Sequence, residues 1–221
     1  MKRALIVTGG SMDTAFGQRY IRQRQFDLTI AADSGMRFFY DTEDKPDWII
    51  GDFDSVEEEV LRYFETQEGI CWSRLVPEKD DTDTEAAIRL AVAQKCNEIH
   101  ILGWAGSRID HMLGNIGLLG IGFEENIDMY LAEPQNRVRM IKENLVISKQ
   151  EQYGEYISLL AVTPEVTGVT LTGMKYPLKD HTMHCYSSLG ISNEIVEDEA
   201  EIRLKEGVLL VIESSEILFG I

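Results

Sequence analysis

Cysteine is scarce in this chain: three in 221 residues, at Cys71, Cys96 and Cys185, with no Cys-x-x-Cys pair. That odd, scattered set indicates neither a disulfide framework nor a zinc knuckle, and a reducing cytoplasm is the expected setting. Positive charge is also short. Lys and Arg number 21 against 38 Asp and Glu, for a net charge of −17. A surface of that sign repels phosphodiester backbones and anionic lipid, so neither nucleic acid nor a membrane is the expected partner. A phosphate-bearing small molecule remains compatible, provided a cation mediates. No apolar run approaches the roughly 18 residues of a membrane span. The opening "MKRALIVTGGSMD" starts basic, but its apolar stretch is too short for a secretory signal. Two phosphate-binding signatures are missing: no G-x-x-x-x-G-K-[ST] occurs, and no G-x-G-x-x-G follows a strand signal. Fixed-period repeats and low-complexity segments are absent too.

What is present begins with a hydrophobic fraction of 44%, ordinary for a globular chain with a real core. Up to about residue 133, apolar runs rich in β-branched residues alternate with helical patterns. The runs are "ALIVTGG", "DLTIAADSG", "DWIIGD", "ICWSRL", "EIHILGW" and "IDMYLAE". Between them, "SVEEEVLRYFETQ" sets Val56, Val60, Leu61 and Phe64 on one side. "TDTEAAIRLAVAQK" sets Ala87, Leu90, Ala91 and Gln94 on one stripe. This alternation predicts a doubly wound parallel sheet with helices on both faces. After Glu133-Pro134 the segments shorten and several alternate, with Ile202 and Leu204 inward and Arg203 and Lys205 outward. Short alternating strands without a long helix predict an antiparallel β-sandwich. The expected division is an α/β unit over 1–133 and an all-β unit over 134–221.

Ligands of an open parallel sheet bind beyond the carboxyl ends of its strands. There the sequence places glycine, hydroxyl or aspartate repeatedly: Thr8-Gly9-Gly10-Ser11, Asp33-Ser34-Gly35, Gly51-Asp52-Phe53-Asp54-Ser55, Asp80-Asp81-Thr82-Asp83, and Gly103 to Asp110. Each acid alone is equally well a cap or turn residue. Ser55 with Glu58, and Thr82 with Glu85, have the spacing of capping boxes. Capping accounts for one acid per helix start, not for Asp52 with Asp54 or for Asp80, Asp81 and Asp83 together. Like charges about 4 Å apart cost roughly 1–4 kcal/mol, so converging acids either splay into water or share a hard cation such as Mg²⁺. Lys79 and Arg108 are the obvious basic residues nearby. Arg108 has two readings, a phosphate clamp or an ion pair with Asp110. His181 and His184 are three apart on a strand and so face opposite ways, which argues against zinc. His100 and His111 are expected to be structural.

Taken together, "AADSG" (31–35), "GDFDS" (51–55), "KDDTDTE" (79–85), "GSRIDHMLGN" (106–115) and "LGISNE" (189–194) resemble the thiamine pyrophosphokinase family, in the family's order and over most of the chain. The resemblance implies an ATP-binding catalytic α/β half followed by a thiamine-binding β-sandwich. It also implies a homodimer with each site lying between chains. The implied reaction moves the pyrophosphoryl group of ATP to the hydroxyethyl group of thiamine, releasing AMP. By motif position, Asp52, Asp54 and Asp83 would hold Mg²⁺, with Asp33 and Asp110 completing the acidic cluster. Thr82, Arg108 and Asn115 would meet the nucleotide, and Ser192 and Asn193 the thiamine pyrimidine. Ser107 departs from the pattern, standing where the family carries a second glycine.

Three other readings share these residues. A pyrophosphokinase for another alcohol, such as a pterin, differs only in the sandwich. A haloacid-dehalogenase-type phosphatase would use Asp52 as nucleophile, but expects its D-x-D motif after the first strand. A cation-binding protein without catalysis would bind metal and turn over no nucleotide.

Overall fold

The computed structural model describes residues 1–75 and 81–216, so Lys79 and Asp80 lie outside the described residues. The chain divides into two compact units, Met1–Glu133 and Pro134–Ile221.

The first unit is built on β1 (Arg3–Val7), β2 (Leu28–Ala32), β3 (Trp48–Gly51), β4 (Cys71–Arg74), β5 (Glu98–Leu102) and β6 (Asp128–Ala132). They lie in the order β6-β5-β1-β2-β3-β4, every pairing parallel. Ala4 to Val7 and Ile99 to Leu102 are buried residue after residue, as strands covered on both faces must be. The chain winds outward from β1 to β4 on one side, then from β5 to β6 on the other. The order therefore reverses between β1 and β5, which is where such sheets open a crevice for ligand.

The helices are α1 (Thr14–Arg24), α2 (Met36–Asp41), α3 (Glu58–Glu65), α4 (Asp83–Ala93), α5 (Ile109–Leu118) and α6 (Ile121–Glu125). Asp13 caps α1, accepting from Phe16 N at 2.7 Å. Thr82 caps α4, accepting from Glu85 N at 3.2 Å, the expected half of its capping box. The expected Ser55–Glu58 box does not form. α3 starts at Glu58 behind Glu57 with no side-chain cap, because the Ser55 hydroxyl donates to Asp33 instead. The buried stripe of α4 is Thr84, Ala87, Ile88 and Ala91, one step round from the stripe the sequence suggests. In the middle of β5, buried His100 pairs with Tyr20 (2.6 Å) and Glu98 (2.8 Å) and stacks on Tyr130.

The second unit is a sandwich with no helix among its described residues. One sheet orders β12 (Asn193–Glu194), β9 (Tyr156–Ala161), β14 (Leu209–Ser214) and β7 (Asn136–Ile141). The other orders β11 (Leu178–His184), β10 (Glu165–Thr172), β13 (Glu199–Arg203) and β8 (Leu145–Ser148). All pairings are antiparallel. Ile157, Leu159 and Val211 of one sheet pack with Val169, Leu171 and Ile202 of the other, each alternating with outward residues as the pleat requires. β10 ends at Thr172. Gly173 takes φ 72, and a Cβ there would lie 2.0 Å from Glu199 O; the chain turns, and Tyr176 emerges 59% exposed. Among the described residues, no helix is long and apolar enough to cross a membrane.

Candidate active site

The loops after β1 and β5 are laced together. Thr8 Oγ1 donates to Gly103 O at 2.6 Å, Gly10 N to Gly103 O at 2.8 Å, and Ser11 N to Ala105 O at 2.7 Å. A side chain cannot enter this seam: a Cβ at Gly10 would sit 2.2 Å from Gly103 O and 2.3 Å from Ala105 O. Above it opens a cleft of about 500 Å³, lined by Gly9, Gly10, Asp33, Ser34, Thr82, Asp83, Trp104, Arg108 and Asn115 among others. Ser107 also lines it, outside the left-handed region of backbone space, so the loop takes a side chain at the position where the family pattern has glycine.

Beside the cleft, the ends of β2 and β3 bring three carboxylates together. Oxygens of Asp33, Asp52 and Asp54 all lie within 4.8 Å of one another. A Cβ at Gly51 would stand 3.1 Å from Asp33 Cα, so glycine there lets the two strand ends close up. Asp33 and Phe53 both have left-handed backbone, at φ 48 and φ 67. Asp52 Oδ1 accepts from Asp54 N at 3.2 Å, which tightens the turn. The neighbouring Asp52 charge, then burial, then Asp33 hold the Asp54 carboxyl above its ordinary pKa, as crowded like charges must.

A hard cation fits this set. The donors are all carboxylate oxygens, the chemistry Mg²⁺ and Ca²⁺ prefer. Asp33 Oδ1 is buried without a hydrogen-bond partner among the described residues, a costly arrangement unless a ligand completes it. The geometric triad is thus Asp33-Asp52-Asp54, whereas the motif reading put Asp83 among the three ligands and Asp33 beside them in the acidic cluster. Asp83 opens α4, lines the cleft and adds to the upward pressure on Asp54, but is not one of the three converging residues. Asp110 does not complete the cluster either. Its carboxylate takes two bonds from Arg108, 2.5 Å and 3.2 Å long. The Arg108 hydrogen bond comes first among the causes that hold Asp110 below its ordinary pKa. Of the two readings of Arg108, the ion pair is the one formed here, with both side chains about two-thirds exposed. Asn115 lines the cleft while donating to Trp104 O at 2.8 Å. His111, expected from the sequence to be structural, and Trp104, which no motif marks, also line it; the fold of the β5–α5 loop brings them there.

In the second unit, Ser192 is exposed with left-handed backbone (φ 58), and its N–H donates to Ser158 Oγ at 3.0 Å. Asn193 is 4% exposed. Its amide brackets Tyr176, accepting from Tyr176 N at 2.9 Å and donating to Tyr176 O at 2.8 Å. The sequence singled out Asn193 and missed Tyr176, whose exposed ring Asn193 presents.

Comparison with known proteins matches both units. The family model "Thiamin pyrophosphokinase, catalytic domain" covers residues 21–131, and "Thiamin pyrophosphokinase, vitamin B1 binding domain" covers residues 143–209. The chain belongs to the thiamin pyrophosphokinase family. The thiamine pyrophosphokinase of Bacillus subtilis is 33% identical over 86% of this chain and 88% of its own. A crystal structure of thiamine pyrophosphokinase from Bacillus subtilis superposes with a TM-score of 0.88 at 32% identity, covering 98% of this chain and 100% of that one. One from Geobacillus thermodenitrificans gives 0.82 at 27% identity, covering 97% and 98%. Within this thiamin pyrophosphokinase fold Asp52 follows the third strand, β3, not the first as the phosphatase alternative requires.

Proposed function

We propose that this protein transfers the pyrophosphoryl group of ATP to the hydroxyethyl oxygen of thiamine, giving thiamine diphosphate and AMP, with Mg²⁺ held by Asp33, Asp52 and Asp54. The observation that carries the reading is the convergence of those three carboxylates, one with an orphaned buried oxygen, beside a cleft floored by glycine backbone. A divalent ion bound there would supply neutralisation of polyphosphate charge. Gly9 and Gly10 keep the floor clear of side chains, so phosphate oxygens can approach the backbone. Arg108, exposed on the cleft, can exchange Asp110 for a phosphate as a two-pronged donor. Its hold on Asp110 lowers that carboxyl's pKa and so weakens it as an acceptor of the alcohol proton. Holding both reactants in line is most of what a phosphoryl-transfer enzyme does. The match of the second unit to a vitamin B1 binding domain supports thiamine over a pterin. Free cysteines, two of them exposed, suit a reducing cytoplasm. The test is incubation with ATP, Mg²⁺ and thiamine: AMP and thiamine diphosphate form together, and AMP formed without thiamine, or none at all, rejects the reading.

The thiamine side rests on Ser192 and on Tyr176, whose ring offers the pyrimidine a stacking face. Tyr176→Ala and Ser192→Ala are each expected to raise KM for thiamine several-fold while leaving KM for ATP within about twofold. A KM for thiamine unmoved in both variants removes this surface from the site.

The working form we infer is a homodimer with each site shared between chains. α5 has no buried residue, and it displays Ile109 and Leu113 at 70% and 63% exposure. In the sandwich, Leu189 and Ile191 flank the same loop as Ser192 and are nearly half exposed. Apolar surface of this kind is ordinarily covered by a partner. Leu113→Asp should shift the protein toward monomer in sedimentation velocity and lower thiamine turnover with it; unchanged self-association rules α5 out of the interface.

A further inference from the structure

Between the two proposed metal ligands of the β3 loop stands a residue that should not be there on local grounds. Phe53 has φ 67, a left-handed conformation that asparagine, aspartate and glycine adopt with ease and bulky aromatics avoid. Asp33, the other left-handed member of the site, is of the tolerant kind. Strain of this sort persists only where the surroundings enforce it. Here the enforcement is visible. The Phe53 ring is 7% exposed and meets Trp72 edge-to-face, centroids 5.5 Å apart at 77°. The Arg74 guanidinium lies 5.4 Å from the Phe53 ring centroid and 5.6 Å from that of Trp72. Arg74 is itself tied to Glu65 at 2.8 Å. Trp72 and Arg74 are two apart on β4 and so share a face. β4 is in register with β3, Ile49 opposite Trp72 and Gly51 opposite Arg74, and Leu75 N donates to Gly51 O at 2.9 Å just beyond. The clamp is therefore anchored to the very strand whose end carries Asp52 and Asp54.

From this geometry we propose that Phe53 is a positioning residue for the metal site. Its ring, gripped by Trp72 and Arg74, holds the Asp52–Asp54 turn in the left-handed form that converges the two carboxylates. Released from the grip, Phe53 would relax toward negative φ. Asp54 N would leave Asp52 Oδ1, and the carboxylates would separate. Residues behind metal ligands commonly matter in this way, and losing one typically weakens binding 10- to 100-fold.

The proposal rests on the metal reading above, so the test measures metal rather than turnover. Mn²⁺ alone is titrated into the full-length protein and free Mn²⁺ followed by electron paramagnetic resonance, for wild type, Asp52→Asn, Phe53→Ala, Phe53→Leu and Trp72→Ala, with folding checked by circular dichroism. Phe53→Ala is expected to weaken Mn²⁺ binding about tenfold or more. Phe53→Leu, which keeps an apolar wedge, should restore much of the loss, a rescue that a general loss of stability would not produce. Trp72→Ala, which loosens the clamp from outside, should weaken binding in the same direction, and it decides the matter if Phe53→Ala does not fold. Folded variants that bind Mn²⁺ as wild type does overturn the positioning role and leave the metal site standing. A wild type that binds no Mn²⁺ overturns both.

Discussion

Asp52→Asn is expected to cut the rate of AMP formation from ATP and thiamine by about a thousandfold or more, and to make the ligand-free protein more stable, not less. The first half follows from the donor set. A neutral amide replaces a carboxylate among three that converge within 4.8 Å, and charge neutralisation by the ion is worth several kcal/mol of barrier. The second half follows from the cost of assembling that set empty. Asp52 is the leading cause of the raised Asp54 pKa, which means the ionised pair repels in the folded state. Asparagine removes one charge yet keeps an oxygen at the place where Asp54 N donates, so the turn has no reason to open. Thermal melts check this directly: Tm of Asp52→Asn lies above wild type without metal, and added Mg²⁺ raises Tm of the wild type only. A near-normal rate, or a Tm that falls as it would on core damage, contradicts the assignment. Sites that hold like charges for a ligand trade stability for function in this sense.

Gly10→Ala carries the other large effect. Its Cβ would penetrate two backbone carbonyl oxygens, those of Gly103 and Ala105. Carbonyl oxygens of a laced loop cannot rotate aside as a flexible side chain can, so the β1 and β5 loops must part. Overpacking of this kind costs about 1–3 kcal/mol, and displacing a catalytic cleft by roughly 1 Å costs on the order of 10²-fold in rate. Gly106→Ala is the matched control from the same cleft. Its Cβ would find nothing nearer than 3.8 Å, so its Tm should equal that of wild type. The pair is measured by thermal melts and by kcat/KM for ATP. Equal melts for the two variants would mean the seam is softer than its geometry says.

How much of this was legible beforehand depends on whether the signal was local. The inner strands of the parallel sheet read clearly because burial on both faces makes β1 and β5 continuous apolar runs; the edge strand β4, with no buried residue, read from the alternation around it. The sandwich strands read from their period of two, and the break after Glu133 from the loss of helical spacing. β12 did not read: two residues hold no periodicity. The Ser55–Glu58 box misled because a capping motif cannot reveal that its hydroxyl is wanted elsewhere, here by Asp33. Asp33 and Asp83 are indistinguishable as letters, each an acid beside a turn. Which of them joins Asp52 and Asp54 depends on how closely β2 and β3 approach at Gly51. The ion pair of Asp110 with Arg108 was one of two open readings, and only placed side chains could choose between them. Tyr176 and Trp72 carry no motif at all.

By itself, then, the amino-acid order determined the two-part architecture, the strand ends on which chemistry would gather, and the kind of chemistry that so many acids beside so few cations permit. Those follow from spacing and composition, which act along the chain. Only the tertiary structure decided which three carboxylates meet, which acid is already paired, and which aromatic ring packs beside the Phe53 of their turn. Those are matters of a few ångströms between side chains, whether two positions apart like Arg108 and Asp110 or about twenty like Asp33 and Asp52, and short-range forces settle them only once the strands and loops are in place.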